Sequence, residues 1–388
     1  MDLFLLGERQ IFNDLVRLGG SIIEPFIPQK LPLDLSKLNW QAVAIKIGQA
    51  NASLAYYGGI LNSIPNPAIF LSPLETKEAV LSSRIEGTIT TVDEVLKYEV
   101  DLKPESLNKQ DDIVEVLNYR NATRAAKDWL NRDLPLNLTM ICGIHKELLE
   151  GARGKDKHPG EVRKEQVWIG PEDCPIEKAT YVPPEPLGLK THLNDLIDFM
   201  NLTDQEILVQ TAIMHAQFEI IHPFSDGNGR TGRILIPLFL WSKGLISAPM
   251  FYISEYFAEN RDQYVYNLRR ITNEGDWERW ILFFLEALQT QAKRNNEKAA
   301  QVIDLYKQMR DRIVELTKSP QAMKVLDSLF MTPIMKPSDF IKLSGLEPKG
   351  AHRIISKLKS EKILKTIKKH AGRSSEVLVF NELYKLIR

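Results

Sequence analysis

Between His222 and Arg233 the chain reads HPFSDGNGRTGR. What flanks this stretch constrains the fold more than any other feature. Ile207, Met214, Phe218 and Ile221 recur at helical spacing and run straight into His222, and a second helix opens at the glycines and extends to about Ser242. Gly227, Gly229 and Gly232 spell G-x-G-x-x-G, the fingerprint of a dinucleotide-binding loop, and Glu255 falls at roughly the spacing of its acidic partner. That fingerprint needs a strand before the glycines. Here the preceding residues have a helical period, and no β–α–β alternation appears along the chain. Nor does G-x-x-x-x-G-K-[ST] occur, which excludes a Walker loop. A helix, a loop carrying His and Asp, and a second helix opening with two arginines is a different object.

Its chemistry follows from the residue types. Gly227, Asn228 and Gly229 place unpaired backbone N–H groups at the positive end of a helix, which suits an anion. Arg230 and Arg233, spaced i, i+3 in the first turn, suit a polyphosphate better than a single carboxylate. Asp226 is an anion on positive ground, best explained by Mg²⁺ bridging to phosphate oxygens. His222 has the natural pKa of a general base for a hydroxyl, and Pro223 after it favours an extended backbone. Each residue alone has a bland reading as a loop histidine, a turn or a solvated arginine. Together, within one loop, they describe attack by a hydroxyl on a nucleotide phosphate.

The segment resembles the Fic motif, HPF-x-[DE]-GN-GR-x-x-R, at every specified position. The family is largely helical and transfers AMP from ATP to protein hydroxyls. The resemblance implies His222 as base, Asp226 as Mg²⁺ ligand and residues 227–229 as the α-phosphate hole. It also implies nucleotide contacts over Arg230, Thr231, Gly232 and Arg233. EVRKEQVWIG (161–170) resembles the family's flap hairpin, which pins a target segment by strand addition. NRDQYVYNL (260–268) resembles a segment of the adenosine pocket, with Asn260 as its contact or, alternatively, as a helix N-cap. Some members carry an inhibitory helix with the pattern [ST]-x-x-x-E-[GN], and Ser82, Glu86 and Gly87 fit it. Glu86 would then pair with Arg233 and occupy the guanidinium that should hold the γ-phosphate, leaving ATP in an unproductive pose. The bland alternative is a solvated carboxylate at a helix end.

The rest of the chain supplies context. With 388 residues it should form more than one domain, and a formal net charge of zero gives no overall attraction to nucleic acid or membrane. Cys142 and Cys174 make neither a disulfide framework nor a zinc spacing. MDLFLLGERQ lacks a basic leader, and the apolar run ILIPLFLW (234–241) is too short to span a bilayer, so a cytoplasmic protein is expected. Residues 1–75 are rich in Pro and Gly and show only short helical patterns. Thr91 and Glu94, and again Thr203 and Glu206, have the spacing of capping boxes.

The expected fold is mainly α: a Fic-type helical bundle with a β-hairpin flap and a C-terminal winged helix-turn-helix. Its expected parts are an N-terminal helical region with the inhibitory helix (1–110), a catalytic domain (111–290), a helical connector (291–319) and the winged unit (320–388). Lys349, Arg353, Lys357, Lys359, Lys362, Lys365, Lys368, Lys369 and Arg373 face only one acid, Glu361, between residues 349 and 373. That charge suits DNA phosphates, or else a solvated face on a unit used for protein contacts or dimerisation. The expected partners are ATP, Mg²⁺ and a target Ser, Thr or Tyr hydroxyl, including the protein's own. The rival readings are a nucleotide-sensing DNA-binding regulator and an enzyme that removes AMP.

Overall fold

The computed structural model describes residues 5–6, 24–63, 67–104, 106–151, 153–171, 174–370 and 375–387. Apart from Leu5 and Leu6, the reading of MDLFLLGERQ lies outside the described residues, as does Arg373.

The N-terminal part is more helical than its composition suggests. Helix α1 (Trp40–Ser63) has 24 residues and α2 (Pro67–Ile85) has 19, so the expectation of short helical patterns before residue 75 does not hold. Along α1, Val43, Ala50, Leu54, Tyr57 and Leu61 are all buried at helical spacing. Packing of that stripe outweighs the helix penalty of its glycines, of which Gly58 and Gly59 face open space. Helix α3 (Val92–Tyr98) starts with the expected capping box: Glu94 N–H donates to Thr91 Oγ1 at 3.3 Å and Thr91 N–H to Glu94 Oε2 at 2.9 Å. Helices α4 (Leu107–Leu130) and α5 (Leu138–Leu149) pack on each other.

Between α5 and α6 (Leu189–Asn201) the chain leaves helix and forms the flap. A two-residue strand, β1 (Leu5–Leu6), pairs antiparallel with β2 (Ile169–Gly170), and Ile169 also bridges antiparallel to Tyr181. Trp168, Cys174, Ile176 and Val182 give the flap a small apolar core of its own. The Tyr181 hydroxyl donates to the Ile220 carbonyl at 2.7 Å, which ties the flap to the bundle.

Helices α7 (Ile207–Ile221) and α8 (Asn228–Ser242) form the centre. Every residue from Leu208 to Ile221 is buried, the apolar stripe together with the polar Gln210, Thr211, His215, Gln217 and Glu219. The start of α7 differs from expectation. Glu206, not Thr203, is the N-cap, its Oε2 accepting from Val209 N–H at 2.7 Å. Helices α9 (Ser254–Glu259) and α10 (Arg261–Glu274) lead to α11 (Trp277–Thr317), which has 41 residues and packs on α1, α2, α7, α9 and α10 before reaching the C-terminal elements.

Those elements are α12 (Ala322–Met331), β3 (Ile334–Met335), α13 (Pro337–Ser344), α14 (Pro348–Ser360), β4 (Leu364–Lys368), β5 (Val377–Phe380) and α15 (Asn381–Ile387). The three strands form an antiparallel sheet in the order β3–β5–β4. Strand β3 and helix α15 have no counterpart in the sequence reading. The unit rests on α2, and it reaches the chain after α2 through hydrogen bonds from Tyr384 to Asp93 and from Lys336 to Asp101.

Candidate active site

The loop between the two central helices is shaped by two left-handed residues. Gly227, at φ 74°, is the N-cap of α8, and His222, at φ 48° and ψ 61°, is the C-cap of α7. The extended backbone expected of His222 is therefore not observed. For a residue with a side chain this region costs about 1–2 kcal/mol, and the surroundings over-determine it. His222 N–H donates to Phe218 O at 3.0 Å. Its carbonyl accepts from Arg163 Nε at 2.9 Å, and Arg163 N–H donates to the next carbonyl, that of Pro223, also at 2.9 Å. Arg163 is buried and spends its other nitrogens on Glu165 O at 3.1 Å and Pro184 O at 2.6 Å, locking the flap base to the loop.

The loop closes on itself through Asn228. Phe224 N–H donates to Asn228 Oδ1 at 2.9 Å, and Asn228 Nδ2 donates back to Phe224 O at 2.8 Å. His145 stacks on Phe224 with ring centroids 3.8 Å apart and planes 5° from parallel. Its Nδ1 accepts from Gly160 N–H at 2.9 Å, so Nε2 carries the proton and donates to Asp226 O, also at 2.9 Å. Burial keeps this imidazole neutral, pushing its pKa down to about 4.

His222 sits in the same frame. Nδ1 lies 3.3 Å from Glu219 O, one turn back on α7, so Nδ1 carries the proton and Nε2 keeps its lone pair. Burial, with the Arg163 cation second, pushes its pKa down to about 3. Such a group is an uncharged proton acceptor throughout the neutral range.

A cleft of about 390 Å³ brings together Glu86, Glu219, His222, Asp226, Gly227, Asn228, Gly229, Arg233 and Tyr264. Arg233 is 1% exposed and bonds the α2 end: Nε donates to Ser82 Oγ at 2.9 Å, and Nη2 to Ser82 O at 3.0 Å and Glu86 Oε1 at 2.5 Å. Burial opposes its charge, yet Glu86, with Tyr264 and Glu219, holds its pKa above the ordinary value. A Cβ at Gly229 would lie 2.2 Å from Glu86 Oε1, so only glycine lets the carboxylate sit over the loop. Gly87, at φ 107°, turns the chain away just after Glu86, and Arg261 Nε donates to Ile85 O at 3.1 Å, fixing the end of α2.

Other expected residues stand apart from this cleft. Arg230 is buried on the far side, with Nη1 donating to Glu115 Oε2 at 2.9 Å and Nη2 3.7 Å from Asp226 Oδ1. Arg153 bonds the same Glu115 at 2.9 Å and also Asp112. Thr231 donates to Gly227 O at 2.8 Å and braces the helix start. Gly232 serves close packing of α8 on α7, since a Cβ there would meet Glu219 Oε1 at 2.6 Å and Phe218 at 3.1 Å. Asn260 joins α9 to α10 and donates to Tyr256 O at 2.9 Å; the member of its segment that lines the cleft is Tyr264.

Glu219, Arg163, His145 and Tyr264 went unnoticed in the sequence. Glu219 had a signal, as the lone acidic residue in the apolar run ILVQTAIMHAQFEII. The others are contributed by elements distant in sequence. Asp226 fits a magnesium site as one partly exposed carboxylate on the cleft wall, with Oδ1 accepting from Gly227 N–H at 2.6 Å. Mg²⁺ takes one or two carboxylates plus substrate phosphates, so the lack of a cluster of three or more candidate ligands among the described residues is compatible with it.

The family model "Fic/DOC family N-terminal" matches residues 45–128 and the model "Fic/DOC family" matches residues 135–240, which takes in the whole loop and both arginines. The chain belongs to the Fic/DOC family. This Fic protein is similar to a "probable protein adenylyltransferase" of Aquifex aeolicus, 25% identical over 307 residues, covering 76% of the present chain and 84% of the relative. It is 28% identical over 214 residues to the protein adenylyltransferase Fic of Nematostella vectensis, covering 52% of the chain but only 44% of that longer relative. A uridine 5′-monophosphate transferase of Xanthomonas campestris is 29% identical over 140 residues, 34% of the chain and 26% of that relative. Among solved structures, a Fic family protein from Desulfovibrio desulfuricans superposes with a TM-score of 0.56 at 17% identity, covering 92% of the chain and 98% of the other; at that identity the likeness is one of fold. Among the described residues, no helix of this Fic protein is long and apolar enough to cross a membrane.

Proposed function

We propose that this Fic protein transfers AMP from ATP to hydroxyl groups of target proteins, itself included, and that the contact between Glu86 and Arg233 restrains it. One observation carries the reading. The guanidinium best placed to hold a terminal phosphate is occupied by a carboxylate, in the same cleft as a neutral His222 and the N-terminal loop of α8.

In the working state Arg233 exchanges Glu86 for the γ-phosphate. The N–H groups of the glycine loop receive the α- and β-phosphates at the positive end of α8. Asp226 would hold Mg²⁺, which screens the phosphate charge when bound. A target Ser, Thr or Tyr docks beneath the flap, and His222 Nε2 takes the hydroxyl proton. The hydroxyl oxygen bonds to the α-phosphorus as the bond to the bridging oxygen breaks, and pyrophosphate leaves. His222 then returns its proton to solvent. Relatives named as protein adenylyltransferases support this donor, and the uridylyl-transferring relative makes UTP the necessary control. The test is incubation of wild-type and Glu86→Gly protein with α-labelled ATP or UTP. Label from ATP on protein supports the reading, whereas label from UTP alone, or from neither, overturns it.

A second reading concerns the C-terminal unit. Lys349, His352, Arg353, Lys362, Lys365 and Lys369 are exposed on α14 and the hairpin, which favours contact with a phosphate backbone. Lys357 and Lys359 are used internally, donating to Leu316 O at 3.2 Å and Glu376 Oε1 at 2.5 Å. With this surface the unit would act as a winged helix-turn-helix bound to DNA.

A further inference from the structure

Beside the phosphate cleft lies a second cleft of about 430 Å³. Its walls are largely apolar, with Ile169 and Tyr181 from the flap and Ile220, Val265 and Leu268 from α7 and α10. The two clefts have a single lining residue in common among those described, Glu219.

Glu219 is only 6% exposed, and its Oε1 has no hydrogen-bond partner. A buried carboxyl oxygen left unpaired costs on the order of 1–3 kcal/mol, so its position calls for an explanation. Arg233 is close enough to act on it electrostatically, yet directs its hydrogen bonds to Ser82 and Glu86 instead. The room for the carboxyl comes from Gly232, where a Cβ would stand 2.6 Å from Oε1. The backbone of Glu219 faces His222, whose Nδ1 lies 3.3 Å from the Glu219 carbonyl.

A nucleotide has the chemistry of this pair of clefts. Its phosphates belong at the glycine loop, its flat base belongs between apolar walls, and its sugar must cross the junction. At the junction the sugar offers hydroxyl donors and the protein offers one unsatisfied acceptor. We propose that Glu219 receives the ribose hydroxyls of the bound nucleotide and makes the site selective for ribonucleotides over deoxyribonucleotides. This rests on the nucleotide reading of the cleft but not on transfer. A site built around a hydroxyl discriminates against the analogue that lacks it, because the buried acceptor then stays unpaired. If Glu219 served instead only as a counter-charge to Arg233, every nucleotide would feel its loss equally.

The test is calorimetric titration of ATP, 2′-deoxy-ATP and 3′-deoxy-ATP, with Mg²⁺, into Glu86→Gly protein, alone and combined with Glu219→Ala or Glu219→Gln. The expected result is ATP binding about tenfold more tightly than at least one deoxy form, the value of one net hydrogen bond. Glu219→Ala brings that ratio to about one, chiefly by weakening ATP. Glu219→Gln keeps the shape, guards against misfolding of the alanine variant, and lowers the ratio about threefold because an amide NH₂ replaces one of the carboxyl's two oxygens and cannot accept. A ratio near one in the Glu86→Gly protein, or one that survives both substitutions, overturns the proposal. Failure of ATP to bind overturns it together with the reading of the cleft. Discrimination without labelling would remove the transfer reading and leave Glu219 its role, and labelling without discrimination would do the reverse.

Discussion

Arg233 Nη2 and Glu86 Oε1 stand 2.5 Å apart although 147 residues separate them in sequence. The pair joins the residue just after α2 to the second turn of α8, and Ser82 reinforces it with both its hydroxyl and its carbonyl. Two of the three guanidinium nitrogens, Nε and Nη2, are thereby engaged on the α2 side.

Releasing it should activate the protein. Glu86→Gly is expected to raise self-labelling from α-labelled ATP by about one to two orders of magnitude, the size of effect that a misplaced reacting atom produces. ATP affinity should change much less. Loss of label from a premodified target, measured on the same variant, separates the roles of Glu86. Slower loss would mark it as the residue that positions water for AMP removal, and unchanged rates in both assays would make it a bystander.

His222→Ala should leave ATP binding intact and lower transfer by about 10²–10⁴-fold. The pH profile adds a second check. Burial lowers the His222 pKa to about 3, so the acid limb of kcat/KM in Glu86→Gly protein should lie well below the usual histidine range. A limb near pH 6.5 would mean that His222 titrates as a solvated group and that the buried geometry does not persist in the working enzyme.

Stability should fall between pH 6.5 and 8. Burial raises Glu78 to about 7 and Glu219 to about 8, so the folded state holds protons there that the unfolded chain has released. Their contribution is complete below the ordinary glutamate range and is lost as pH rises through the folded values. The lowered histidines His145, His215 and His222 act the opposite way, removing stability as pH falls below 6.5, outside this window. Thermal melting of wild type against Glu219→Gln tests this: the variant should show a flatter decline from pH 6.5 to 8, and parallel curves would contradict it.

If the exposed cations of α14 and the hairpin meet DNA, affinity should drop steeply with salt. Neutralising five phosphates, one for each of Lys349, Arg353, Lys362, Lys365 and Lys369, predicts a log–log slope of about −4.5. Mobility-shift titrations at several salt concentrations give the slope directly. A flat dependence, or no binding at low salt, would assign the surface to protein contacts.

The sequence carried the loop well and its surroundings poorly. The start of α8 at Asn228, the capping box at Thr91 and Glu94, and the place of the Glu86 turn all follow from local rules of helix opening and closing. The left-handed backbone of His222 does not, because Arg163 and Phe218 hold it from elsewhere and outweigh the bias imposed by Pro223. Arg230 shows the same limit. Helical spacing places it beside Arg233, but Glu115 on α4 draws its guanidinium away from the cleft. Helix α1 was hidden by its glycines, although its buried stripe could have been read from periodicity alone.

Helix α11 has a mechanical consequence. Its early turns bury Trp280, Phe284 and Leu288, and the same stripe continues through Ala299, Val302, Met309 and Ile313 without a break. Asn296 reaches back to Ser53 O on α1 at 3.4 Å, while Tyr306 donates to Asp327 on α12 at 2.6 Å and Arg312 to Glu361 O at 2.8 Å. The stretch that looks like a connector in sequence is thus a shared spine, with no slack between the units at its two ends. The C-terminal unit packs on both α11 and α2, the helix whose last residue, Ile85, precedes Glu86. Heat should accordingly melt the two units in one cooperative transition, and cutting the chain at residue 290 should cost the bundle part of its own core.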